Sequence, residues 1–119
     1  MATYTVVEKD KEFIPEWDNN RDRVDDDQIK FTLKYIPTSQ RSKCWKVTND
    51  GSVDPNYEML IRYGVLKIAN FDLDDGRAIT SGSEFGKLPG FDALYMEVAT
   101  EILIMNARED LKNSESRST

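Results

Sequence analysis

Apolar positions recur with a helical period over residues 91–106, FDALYMEVATEILIMN, the longest periodic apolar stretch in the chain. At about 100° per residue, Phe91, Leu94, Tyr95, Val98, Ile102 and Met105 fall on one side, which predicts an amphipathic helix with its stripe against a core. Met96 and Leu103 lie well to one flank of that stripe, and Ile104 lies nearly behind it. The apolar arc is therefore wider than a one-sided surface helix requires, so the pattern leaves room for a second contact.

The period changes to two over residues 29–36, IKFTLKYI, where Ile29, Phe31, Leu33 and Tyr35 alternate with Lys30, Thr32 and Lys34. This predicts a strand with one buried and one wet face, stopped by Pro37. Thr38 or Ser39 then serves as N-cap for a short helix to about Trp45, and Asn49-Asp50-Gly51-Ser52 is a strong turn signal. Asp54-Pro55 reads as an N-cap followed by proline at the first helical position. It opens a helix in which Tyr57, Leu60, Ile61, Gly64, Val65 and Ile68 share a face. The end of that helix is expected between Gly64 and Ala69, because Gly64 weakens it and the following VLKI is equally compatible with extended chain. Residues 81–84, SGSE, form a capping-box pattern that starts a short helix with Phe85 and Leu88 turned inward, and Leu88-Pro89-Gly90 turns into the long helix.

The ends are less patterned. Residues 3–7, TYTVV, have the β-branched and aromatic character of an edge strand, while 8–12 is a charge run, so 1–12 is expected as a flexible or edge-strand N-terminus. Residues 13–17, FIPEW, read as an extended peptide laid over the core. Phe13 and Trp17 then either plug the domain's own groove or form a docking arm for a neighbour. Residues 18–28, DNNRDRVDDDQ, are polar and turn-rich with almost no apolar anchor, which predicts a mobile loop. Residues 113–119, NSESRST, are expected as a disordered polar tail beyond one globular domain spanning 13–112. The expected class is α+β, mostly α, with a small N-terminal β element near 29–36, then three or four helices, the longest at about 91–106.

Composition narrows the chemistry. At 119 residues the chain is long enough for one domain with its own core. A net charge of −6 argues against nucleic acid as a partner, since phosphate binding needs clustered Lys and Arg. The single cysteine, Cys44, is expected as a small buried hydrophobe, and the absence of histidine removes the commonest general base and the usual catalytic zinc ligands. No apolar run approaches a membrane span, and the N-terminal residues lack a secretory pattern, so a cytoplasmic location is expected. The Asp72-Leu73-Asp74-Asp75-Gly76 turn lacks the leading aspartate and closing glutamate of an EF-hand loop. Glu97 and Glu101, one turn apart on the polar face of the long helix, read as solubilising charges. Without a phosphate loop, a dinucleotide fingerprint, a CxxC pair or an HExxH motif, no enzyme activity, cofactor or metal is expected.

The order of pieces resembles a known family. Phe-Ile-Pro-Glu at 13–16, the strand IKFTLKYI followed by PTSQR, RYGVLKIANF, the DDG turn, ITSGSEF, LPGF, LYMEVATEIL and a trailing LKNS resemble the tail assembly chaperones of long-tailed bacteriophages and related prophages. The resemblance covers about residues 13–114. It implies a non-enzymatic protein that binds the tape measure protein, keeps it soluble during tail morphogenesis and is absent from the mature virion. It also implies a frameshifted longer form in many members, and the acidic charge would then serve solubility and repel copies arrayed along one client. A holdase for a helical client needs adaptable apolar contacts, which selects Met96, Leu103 and Ile104 as partner-binding residues. Two other classes stand beside it. One is an acidic inhibitor or DNA mimic of a host nucleic-acid-binding protein, using Asp25, Asp26, Asp27, Asp72, Asp74 and Asp75. The other is a structural tail-completion subunit.

Overall fold

A computed structural model describes residues 2–4 and 9–117, with side chains through Ala107. Most of the strand expected over 3–7 lies outside the described residues. The fold is α+β and mostly α. Three strands, β1 (Lys11–Phe13), β2 (Lys30–Leu33) and β5 (Val65–Ala69), form an antiparallel sheet in the order β1-β2-β5. Between β2 and β5 the chain makes helix α1 (Thr38–Cys44), a hairpin of β3 (Trp45–Val47) and β4 (Val53–Pro55), and helix α2 (Tyr57–Gly64). Helices α3 (Gly82–Gly86) and α4 (Asp92–Arg117) follow.

The alternation in β2 does what the pattern requires up to Leu33. Phe31 and Leu33 are fully buried and register with Phe13 on β1 and with Ile68 and Val65 on β5. The strand is shorter than the expected 29–36: a bulge between Thr32 and Leu33 shifts its register to β5, and the pairing runs out where Lys34 N–H reaches Gly64 O at 2.9 Å, the end of α2. Beyond it Ile36, not Tyr35, is the buried residue. Residues 11–13, the end of the expected charge run and the first residue of the expected extended peptide, are the edge strand of this sheet, so Phe13 is a core residue supplied in cis.

Two boundaries differ from expectation for identifiable reasons. Asp54 and Pro55 do not open a helix; they pair with Lys46 and Trp45 in the hairpin, where proline is tolerated on an edge. The N-cap of α2 is Asn56, whose side chain accepts from the Met59 N–H at 3.2 Å. At α1 the residue before the first helical turn is Pro37, with no side-chain cap, and Thr38 is already helical. Helix α2 stops at Gly64 and the chain turns directly into β5, so Val65 and Ile68 are buried from a strand. The capping box at α3 forms as expected, with the Glu84 N–H donating to Ser81 Oγ at 3.2 Å and the Ser81 hydroxyl to Glu84 Oε1 at 3.1 Å. That hydroxyl bond first, and then one from the Thr80 hydroxyl to the same oxygen at 3.1 Å, hold the Glu84 carboxyl below its ordinary pKa.

Helix α4 carries the core. Leu94, Val98, Ala99 and Ile102 are fully buried, and Met105 is nearly so. Its crossing with α2 is close enough that a β-carbon added at Gly64 would lie 2.5 Å from Ile102 Cγ2. Gly64 therefore sits in a helix despite its propensity cost because nothing larger fits there. A chain of aromatic contacts, Phe31 to Phe85 to Phe71 to Phe91 to Trp17, ties the sheet, α3, the start of α4 and the N-terminal segment together. The backbone of α4 continues as helix through Arg117, past Asn106 where the apolar period ends.

Candidate interaction surface

The outer face of the first half of α4 is built by what happens to Glu97 and Glu101. Between Ala93 and Asn106 the only charged residues are Glu97 and Glu101, read above as charges of a solvated face. Both are instead turned to one flank and engaged. The Glu97 carboxylate accepts the backbone N–H of Glu16 at 2.7 Å and of Trp17 at 3.1 Å, at the start of a 3-10 turn (Trp17–Asp22) whose first N–H groups have no partner in the turn itself. Glu101 pairs with Lys11 on β1. Two carboxylates thus fasten the N-terminal segment along the helix.

With both acids drawn aside, the outward ridge from Ala93 to Ile104 is uncharged, and exposed Asp92, four residues before Met96, closes its N-terminal end. Met96, Thr100 and Ile104 follow at intervals of four, so they share a face, and Ala93 lies one turn before them. All four are exposed, Met96 to 41% and Ile104 to 38%. The ridge runs about 16 Å along the helix at 1.5 Å per residue. Beside Met96 an open groove of about 490 Å³, lined along the helix by Glu97 and Glu101 as well, separates the ridge from Phe13, Glu16 and Arg21 of the N-terminal segment, where Arg21 Nη1 and Glu16 Oε1 are 2.6 Å apart.

The five residues singled out from the sequence therefore divide. Met96 and Ile104 are exposed on one ridge. Leu103 is half-buried, packed against the core, and does not join them as an open contact. Phe13 is buried in the sheet, and Trp17 is half-buried with its ring 5.6 Å from that of Phe91. The N-terminal segment fills its own domain.

Three polar residues that organise this region carry no local signal in the sequence. Asn20 is fully buried in the segment expected to be an unanchored loop. Its Nδ2 donates to Pro15 O and Ile29 O, both at 3.0 Å, and its Oδ1 accepts the Ile29 N–H at 2.7 Å. The side chain so replaces a missing strand neighbour, and 18–28 is held as two 3-10 turns rather than hanging free. Asn106, midway along α4, does the same, with Oδ1 accepting the Ile36 N–H at 2.8 Å and Nδ2 donating to Ile102 O at 2.8 Å. Glu97 is the third. Each joins residues far apart in sequence or aims its amide at backbone, which no periodicity records.

Cys44 is fully buried, and burial pushes its thiol up, which disfavours the nucleophilic thiolate. Among the described residues no group of three or more His, Cys, Asp or Glu side chains is placed to hold a metal ion, and no helix is long and apolar enough to cross a membrane. No family model, curated protein or solved structure matches this chain.

Proposed function

We propose that this protein is a non-enzymatic phage tail assembly chaperone that binds the tape measure protein in the bacterial cytoplasm and leaves before the tail is complete. The observation that carries this reading is the uncharged ridge of α4, where Met96 and Ile104 stand exposed and both glutamates of the segment are committed elsewhere. An apolar ridge on a long helix suits a helical client that must be held without a unique register, and methionine adapts to irregular partners. The resemblance of residues 13–114 to the tail chaperones supplies the client.

Co-expression with the tape measure protein of the same phage tests it. The client should stay soluble and co-purify in a complex that survives 0.5 M salt, and the chain should be missing from purified virions. Retention in virions would make it a tail-completion subunit instead. Salt-sensitive capture of a basic host protein would favour the acidic inhibitor, whose proposed carboxylates are partly neutralised here by the Lys30–Asp25 and Arg77–Asp75 pairs.

A further inference from the structure

A second surface lies apart from the ridge and shares no residue with it. The turn after β5, the 3-10 turn at Trp17 and the chain entering α4 enclose a groove of about 470 Å³ lined by Trp17, Phe71, Leu73, Leu88 and Phe91. Four of these, all but Phe71, are only half-buried, so large apolar side chains from three separate segments converge on a space their own fold does not fill. The volume is in the range of side-chain and small-ligand sites.

The rim has a definite charge. Arg23 is held by the Asp18 carboxylate at 2.8 Å, and Arg77 by Asp75 at 2.9 Å, so each arginine is already compensated. Asp72 and Asp74 are exposed, and among the described residues their carboxylates have no ion-pair or hydrogen-bond partner. The turn that carries them is internally braced, Leu73 N–H to Arg77 O at 2.8 Å and Ile79 N–H to Phe71 O at 2.8 Å, so the acids are presented on a fixed frame. Asn70 Nδ2 also donates to Gln28 O at 2.9 Å, which joins this acidic turn to the chain just after Asp25–Asp27. An apolar floor under uncompensated carboxylates selects a ligand that is apolar and cationic together.

We infer that this groove docks a segment of a partner protein that presents a bulky apolar side chain next to lysine or arginine. The apolar group enters between Trp17, Leu73, Leu88 and Phe91, and the cation lies against Asp72 and Asp74. This site is independent of the α4 ridge, so its failure leaves the chaperone reading standing.

The test is an amide chemical-shift titration of the full chain with three capped peptides, Lys-Lys-Leu-Phe-Lys, Glu-Glu-Leu-Phe-Glu and Lys-Lys-Ser-Gly-Lys. The first should give saturable shifts at residues 17–23, 70–77 and 88–91, with the other two at least about tenfold weaker. Asp72→Asn combined with Asp74→Asn should weaken the first peptide about fivefold or more while leaving the free spectrum dispersed, since both side chains are exposed. Equal binding of the acidic peptide, shifts confined to the ridge at Met96 and Ile104, or no saturable shift at the groove would each overturn the inference.

Discussion

At the residue scale, two buried asparagines hold backbone that the sheet does not reach. Removing Asn20 leaves Pro15 O, Ile29 O and the Ile29 N–H without that partner in a buried site. Asn20→Ala should therefore cost about 2–4 kcal/mol, well above an average surface substitution, read from the urea midpoint. Asn106→Ala strands only the Ile36 N–H and should cost less, about 1–3 kcal/mol. Gly64→Ala is the converse case. Alanine is the better helix former, yet the contact with Ile102 makes the substitution destabilising by about 1–3 kcal/mol, and a stabilised Gly64→Ala variant would contradict the close α2–α4 crossing. None of these roles was legible in the sequence, because an asparagine that bonds to backbone nine or seventy residues away looks like any other polar residue.

At the element scale, long periodic segments were legible and junctions were not. The 91–106 pattern located the inward stripe of α4, and SGSE located α3, because each depends on contacts within a few residues. Asp54-Pro55 misled because the same dipeptide suits a helix start and a strand edge, and the choice was made by pairing with Trp45 and Lys46. The hairpin turn was legible, and its chemistry yields a pH dependence. Asp50 accepts from the Thr48 hydroxyl and from the Ser52 N–H at 3.0 Å, which lowers its pKa from the ordinary 3.8 to about 2. A depressed carboxylate stabilises the fold fully above its unfolded value and loses that contribution as pH falls through the folded one. The Ser52 amide resonance should hold its position from neutral pH to about 4 and then move with a midpoint near 2. At the other end of the molecule, Glu97→Ala should free the N-terminal segment. Exchange of the Glu16 and Trp17 amides should quicken, with a stability loss of about 1–2 kcal/mol, and unchanged exchange would show that β1 alone holds the segment.

At the scale of the whole molecule, the functional reading depends on which face of α4 is left uncovered. The wide apolar arc was visible in the sequence, but which of its flank residues would stay open was not. That was decided by packing that buried half of Leu103 and by an N-terminal segment that drew Glu97 and Glu101 aside. Met96 and Ile104 are the result, and because they face solvent, charge can be introduced there without entering the core. The most direct measurement is capture of the co-expressed tape measure protein by the wild-type chain and by the Met96→Asp, Ile104→Asp double variant, with circular dichroism confirming equal folding. Loss of most of the captured client with the helical signal and melting temperature unchanged is the expected result. Undiminished capture by a folded double variant would contradict the ridge as the client surface.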